Sequence, residues 1–291
     1  MIDLHLHSNI SDGTLAPEDL VRELVRSGIR YAGLTDHDTI AGWRRFERAA
    51  RRAGLSVIRG VEISAAHPCC PVHLLGYFVE ATPSICSALR RVRRGRERRN
   101  HAIVSKLAEL GKPVAWEVIR RTAGSCMIGR MHIARAMVAA GHVPTVRAAF
   151  DEWLARGRPA YVERFRLPFH RAIAQLHAAG AVVVLAHPGL LPCGSEDRAQ
   201  ILRDLVGAGL DGVEAYHSRH NSEITREFRR WAQRHGVLVT GGSDYHGPQP
   251  SDGAHAVELG QLQVPEETWT ALCDAAQRRS RRAARVHTTE L

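Results

Sequence analysis

His5-Leu6-His7 and Asp244-Tyr245-His246 each place two metal-type donors at alternate positions of a short apolar run. Residues i and i+2 of a strand point to one side, so each pair can address one ion while the middle residue packs the other way. Asp12, His37, Glu62, His73 and His187 lie in, or close behind, further apolar runs. Imidazoles and carboxylates without thiolates suit Mn²⁺, with Fe²⁺ and Zn²⁺ as the other ions such donors accept. Nine donors exceed what one ion can use, so two or three divalent ions are expected. Glu62 is the expected bridge, because its two oxygens can serve two ions. A centre of this kind lowers the pKa of water and neutralises anionic oxygens, which is hydrolytic chemistry. A lone histidine is more often structural, and His101, His142, His170, His177, His235, His255 and His287 are read that way. Asp36 and Asp38 flank His37 and are expected to orient imidazoles from behind.

The donors are useful only if the chain gathers them. Strand-like runs recur at Ile2–Leu6, Tyr31–Thr35, Ser56–Val61, Val72–Phe78, Ala181–Ala186, Gly212–Tyr216 and Val237–Gly241. Amphipathic helical patterns fit Pro17–Gly28, Thr39–Gly54, Arg198–Gly209 and Asn221–Gly236, with Pro17 suited to a helix start and Gly54 to a helix end. This alternation predicts an α/β protein with a mainly parallel, barrel-like sheet and βαβ crossovers. The donors then fall at strand C-terminal ends, on the rim that carries active sites in barrel enzymes. About 100 residues separate the fourth run from the fifth, far too many for a loop. Helical patterns at Ile85–Leu110, Ala115–Thr122, Met131–Ala140 and Thr145–Ala155 fill them. Residues 99–166 are therefore read as a small helical insertion, or cap, in a barrel made of 1–98 and 167–291. The insertion is expected to leave from the active-site end of a strand and overhang the site.

Net charge is +10 over 291 residues, and it is not spread evenly. Residues 80–166 hold 18 Lys+Arg against 7 Asp+Glu, whereas the remainder holds 22 against 23. Such a concentration draws phosphate-rich ligands, although an arginine run is also what a solvated helix face looks like. The C-terminal run from Arg278 to Arg285 reads mainly as a solvated helix end or tail. No apolar stretch approaches the roughly 20 residues a membrane span needs, and the strand-like start leaves no room for a signal peptide. Six cysteines without CxxC spacing suit free thiols in a reducing cytoplasm, the expected location.

Taken together, His5-Leu6-His7-Ser8 with Ser11-Asp12-Gly13, Thr35-Asp36-His37-Asp38, Gly60-Val61-Glu62-Ile63-Ser64, His73-Leu74-Leu75-Gly76-Tyr77, Ala186-His187-Pro188 and Ser243-Asp244-Tyr245-His246-Gly247 closely resemble the motifs of the PHP (polymerase and histidinol phosphatase) family. The resemblance spans residues 5–247. It implies a distorted (β/α)7 barrel with up to three metals, often manganese. One ion would take His5, His7, Glu62 and Asp244, a second Glu62, His73 and His187, and a third Asp12, His37 and His246. Gly129-Arg130-Met131-His132-Ile133-Ala134-Arg135 is similar to the Gly-Arg-Pro-His-Ile-Ala-Arg motif of one branch, with Met131 where proline is usual. That branch implies a 3′,5′-nucleotide bisphosphate phosphatase related to 5′-to-3′ exoribonucleases. The expected chemistry is loss of the 3′-phosphate to give a 5′-monophosphate, with short 5′-phosphorylated RNA as a second substrate. Glu62, Arg130 and His217 are the expected catalytic residues, His217 as the acid for the leaving oxygen. Ser8, Asp12, Arg130, His132, Arg135 and His217 are the expected substrate contacts. Histidinol phosphatase or another small-molecule phosphatase, and a non-catalytic nucleic-acid-binding PHP domain, remain as alternatives.

Overall fold

Helices wrap a sheet whose strands run in the order β1 (Ile2–Leu6), β2 (Tyr31–Leu34), β3 (Ser56–Ala66), β4 (Val72–Tyr77), β6 (Val182–Leu185), β7 (Gly212–His217) and β8 (Leu238–Gly242); the two-residue β5 (Leu167–Pro168) pairs beside β3. The computed structural model describes residues 1–124, 126–248 and 257–289, the last eight as helix backbone only. The sheet curls until its ends nearly meet. Beyond β1 the His7 amide donates to the Tyr245 carbonyl at 3.0 Å, and the Asp244 amide donates to the His5 carbonyl at 2.9 Å. The result is a nearly closed seven-stranded barrel.

Most neighbours are parallel, as the strand–helix alternation requires, but β4 is antiparallel to both β3 and β6. The reason is length. β3 runs on to Ala66, so only residues 67–71 join it to β4, and a parallel return needs a crossover of a dozen or more residues. The reversal corrects two expectations. His73 reaches the metal rim because it starts β4, opposite Ser64 near the end of β3. The insertion leaves from the far end of β4, at the opposite rim from the one expected.

The helix α3 (Pro83–Glu109) brings the chain back. It is one 27-residue helix, about 40 Å long at the usual rise, with Thr82 capping its start by accepting from the Ile85 amide. Ile85, Leu89 and Val92 pack into the barrel's apolar core. Ile103 and Leu107 pack into a separate cluster with Ile119, Ile133, Met137, Val143 and Leu154. That second cluster also draws on α4 (Trp116–Ala123), α5 (Arg130–Ala139), the four-residue α6 (Val146–Ala149) and the π-turn Phe150–Leu154. The helix therefore runs unbroken through residues 98 and 99, where the sequence reading divided barrel from insertion.

The remaining helices are α1 (Pro17–Arg26), α2 (Trp43–Arg52), α7 (Phe169–Ala178), α8 (Ser195–Gly207), α9 (Ser222–His235) and α10 (Glu266–Thr289). Of these, α7 was not anticipated, and α10 only as a helix end in its C-terminal run. Asn221 caps α9 by accepting from the Glu223 and Ile224 amides, and Gly236 ends it in the left-handed region. The expected solvated C-terminal run belongs to α10, where Arg279 instead pairs with Asp211. Among the described residues no helix is long and apolar enough to cross a membrane, and all six cysteines are free.

Barrel closure depends on Gly242. A Cβ there would lie 2.3 Å from both the nitrogen and the Cβ of His5, so any side chain forces β8 away from β1. Gly242→Ala should cost about 1–3 kcal/mol, the usual range for overpacking, and should lower metal content by displacing His5. Urea denaturation and elemental analysis check this; unchanged stability with full metal would show that β1 and β8 are not so tightly apposed.

Candidate metal centre

A register irregularity interrupts β1 between Asp3 and Leu6. Leu4 and Leu6 are buried in two different apolar clusters, while Asp3, His5 and His7, just past the strand, are buried with polar partners. From β3, Glu62 projects into the same space with 0% exposure. Five imidazole nitrogens surround its carboxylate: His5 and His7 Nε2 at 3.2 Å, His37 Nδ1 at 3.0 Å, His73 Nδ1 at 2.7 Å and His187 Nε2 at 3.3 Å. Asp244 Oδ1 lies 3.4 Å from His5 and 3.1 Å from His7. Asp12 lies 3.7 Å from His37 and 3.5 Å from His246. The structure thus places all nine sequence-selected donors in one connected group.

Among the described residues, three subsets have donor atoms within 4.8 Å of one another: His5, His7, Glu62 and Asp244; His37, Glu62 and His73; and His7, Asp12, His37 and His246. The first matches the expected set. The second has His37 where His187 was expected, although His187 approaches the same Glu62 oxygen, Oε1, as His73 does, and the third adds His7.

Electrostatics describe the same need for cations. Burial favours neutral His7, but the Asp244 and Glu62 carboxylates override it and raise its pKa to about 10. Burial also opposes the Glu62 charge, yet His37, His73 and His5 hold that carboxyl well below its usual range. Both ring nitrogens of His7, Nδ1 of His37, His73 and His187, and Oδ1 of Asp12 are buried without a hydrogen-bond partner. Buried polar atoms seldom stay unpaired. Lone pairs crowded on lone pairs, in a set of N and O donors without sulfur, fit divalent metal ions.

Glu214 was not singled out in the sequence. It is fully buried in β7; its Oε1 accepts from His5 Nδ1 at 3.0 Å, and its Oε2 accepts from the His187 amide at 2.7 Å. It fixes which His5 nitrogen faces Glu62, the carboxylate–histidine arrangement common behind metals. Asp3, pushed up to about 6 by burial, accepts from the His5 and Ser243 amides and ties β1 to the end of β8. Their one visible signal was a carboxylate inside an apolar strand. Asp36 and Asp38, in contrast, hold no imidazole. Asp36 accepts from the Ser8 amide and hydroxyl, both at 2.7 Å, and from the Ser11 hydroxyl at 2.8 Å, which pins the turn that presents Asp12. Asp38 instead faces arginines: Arg96 at 3.1 Å, Arg164 at 2.5 Å, and Arg93 on its carbonyl at 2.9 Å.

The other sequence-selected residues are placed as follows. Ser8 is buried with its hydroxyl on Asp36. His217 is the last residue of β7 and 1% exposed, its Nε2 3.7 Å from Asp244 Oδ2. Arg130 starts α5, donates to the Leu154 carbonyl at 3.0 Å and lies over the Phe150 ring. His132 accepts from the Gly129 amide at 3.0 Å and so caps α5. Arg135 is half-buried on the same helix. Among the histidines read as structural, His177 pairs with Asp211 and His101 stacks on Trp116; His255 and the side chain of His287 lie outside the described residues.

Backbone strain gathers here too. Asp38, His187 and Asp244 have φ of 53°, 29° and 59°. Such conformations cost non-glycine residues about 1–3 kcal/mol each and persist where the surroundings over-determine them.

The PHP domain family model matches residues 3–155. A 3′,5′-nucleoside bisphosphate phosphatase from Chromobacterium violaceum is 32% identical over 85% of this chain and 87% of its own length. A 5′-3′ exoribonuclease from Haemophilus influenzae is 33% identical over 84% of this chain and 90% of its own. The structure of an amidohydrolase from Chromobacterium violaceum, with bound sulfate and no metal, superposes with a TM-score of 0.81 at 30% identity, covering 94% of this chain and 96% of that one.

Metal binding should stabilise the fold. At a hundredfold excess over its dissociation constant, one ion adds about 2.7 kcal/mol. Thermal melts of chelator-treated protein should therefore shift upward on adding Mn²⁺, and Glu62→Gln should lose most of the shift while still folding. Equal shifts in both proteins would remove Glu62 from the ligand set.

Proposed function

The chain belongs to the PHP domain family, and from this premise we propose that it is a metal-dependent phosphoesterase acting on nucleoside 3′,5′-bisphosphates. It releases the 3′-phosphate, leaves the 5′-monophosphate, and trims short 5′-phosphorylated RNA, whose diester presents the same phosphorus. The names of the two relatives, a bisphosphate phosphatase and an exoribonuclease, support cleavage at such a phosphorus.

One observation carries the substrate assignment. Arg96 and Arg164 both pair with Asp38, next to His37 at the metal rim. Behind them, Arg99, Arg130 and Arg166 are close enough to one another and to Arg164 for their charges to interact, with Glu163 as the nearby carboxylate. Burial, with Arg130 and Arg164 adding repulsion, brings Arg99 down to about 10; burial also brings Arg164 to about 10. A half-buried excess of guanidinium charge calls for an anion, and guanidinium is suited to two-point contact with phosphate. A monophosphate held by the metals would leave this cluster unmatched, whereas a second phosphate fills it.

Divalent ions held by the nine donors, manganese in this reading, would neutralise phosphoryl oxygens and lower the pKa of an attacking water. The chain supplies the rest. Arg130 and Arg164 hold the second phosphate and fix the nucleotide's direction. Around them, Ser8 secures the Asp12 turn, His132 holds the start of α5, and Arg135 adds positive charge on that helix. His217 Nδ1 accepts from the Arg219 amide at 3.1 Å, so in the neutral ring Nε2 bears the proton. That atom is buried and without a hydrogen-bond partner, facing the Asp244 side of the centre. It is placed to give its proton to the leaving sugar oxygen.

Adenosine 3′,5′-bisphosphate should be turned over with Mn²⁺ far better than histidinol phosphate; the reverse order overturns the assignment. Arg130→Ala should cut kcat/KM for the bisphosphate by about 10²–10³, and less for an aryl phosphate, which has no second phosphate. An unchanged ratio between the two substrates would remove Arg130 from recognition. His217→Asn should slow the bisphosphate by about 10²–10⁴ but 4-nitrophenyl phosphate much less, since its leaving group needs no acid. Equal losses would assign His217 to positioning instead.

A further inference from the structure

The outer face of α3 forms one wall of a groove of about 850 Å³, lined by Arg90, Arg91, Arg94, Arg98 and Arg99, with Val162, Glu163 and Phe165 opposite. Glu163 is the groove's one acidic lining residue. Arg90, Arg94 and Arg98 are exposed and make no ion pair among the described residues. They stand four residues apart, a stripe along the helix with steps of about 6 Å. Phe165 sits half-buried at the groove with Arg91 4.8 Å above its ring. Gly95, in mid-helix, makes room for it: a Cβ there would lie 2.8 Å from the Phe165 Cβ. Mid-helix glycine costs about 1 kcal/mol against alanine, so this seat is maintained against helix propensity.

The groove is also connected to the metal rim. Residues 163–165 alternate sides: Glu163 and Phe165 face the groove, while Arg164 faces Asp38. Arg99 lines the groove and interacts with Arg130 and Arg164. A continuous run of guanidinium groups thus leads from beside His37 to the outer stripe.

We propose that this groove is a binding track for single-stranded RNA, engaging phosphates and a stacked base several nucleotides from the one being cleaved. The proposal rests on the phosphoesterase reading above, extended to oligonucleotides. A basic groove that follows a backbone, combined with an aromatic face for a base, is how single strands are held without sequence preference. The cluster at the rim suffices for a bisphosphonucleotide. The outer stripe serves only a longer polyanion.

The test compares fluorescence anisotropy of 5′-phosphorylated 12-nucleotide and dinucleotide RNA, using Glu62→Gln protein so that neither is consumed. The 12-mer should bind at least tenfold tighter than the dinucleotide. Adding Arg90→Gln, Arg94→Gln and Arg98→Gln together should weaken the 12-mer at least tenfold and leave the dinucleotide unchanged. It should also reduce the slope of log affinity against log salt by about 2, at about 0.7 per lost phosphate contact. The same triple change in otherwise native protein should turn over adenosine 3′,5′-bisphosphate within twofold of the parent, showing that fold and centre are intact. A 12-mer that binds no tighter than the dinucleotide, or that ignores the triple change, overturns the track. So does polyglutamate of equal charge competing as well as RNA, which would mark a surface for acidic protein. Failure of the parent to hydrolyse the bisphosphate would instead overturn the substrate reading, while the binding comparison would still decide the track.

Discussion

A single buried carboxylate sits among five imidazoles, and the rest of the structure is organised by that crowding. Glu62 can accept about four hydrogen bonds at most, yet nitrogens of His5, His7, His37, His73 and His187 all come within 3.3 Å of it. Neutral rings would turn several lone pairs toward its oxygens, while charged rings would repel one another in a space with little water. Divalent cations between these groups remove both conflicts. A folded chain that keeps such a centre must hold it rigidly, because each ligand taken alone would relax away. The strained backbone at Asp38, His187 and Asp244, and the glycine contact between β8 and β1, are the local costs of that rigidity.

The reversed β4 shows how the fold meets the constraint. The six barrel strands that run in one direction can bring ligands to the rim only from their C-terminal ends. By turning back after five residues, β4 delivers His73 from its N-terminal end, beside His187 across the Ala186–His73 backbone hydrogen bond. The same reversal sends the chain to the far rim, and α3 must travel the barrel's length to return. That path places arginines along the barrel side and against Asp38. The ligand cluster and the arginine charge are thereby linked through one helix.

The ligand types were legible in the sequence because donors recur at alternate positions beside apolar runs; Asp244 and His246, however, lie past the end of β8, with Asp244 in the left-handed region, so a loop and not strand alternation brings them together. The barrel was legible because apolar runs alternate with helical patterns. The direction of β4 was not, since the third strand-like run was ended at Val61, which hid the five-residue connection after Ala66. Glu214 and Asp3 were not, because a carboxylate in a short strand looks solvent-facing until the sheet closes over it. Asp38 was read as an imidazole partner for its position beside His37; its arginine partners lie 58 and 126 residues away in the chain, a distance no local pattern spans. The 27-residue α3 concealed the boundary of the insertion, since helical periodicity does not change where a helix passes from one core into another.

Glu62, with an oxygen facing each side of the donor cluster, would hold two ions. Crystals of the Mn²⁺-loaded protein, measured on both sides of the manganese absorption edge, test it most directly. At least two anomalous peaks should flank the Glu62 carboxylate, one per oxygen, with His5, His7 and Asp244 around the first and His73 at the second. A single peak, or ions that leave both Glu62 oxygens uncoordinated, would contradict it.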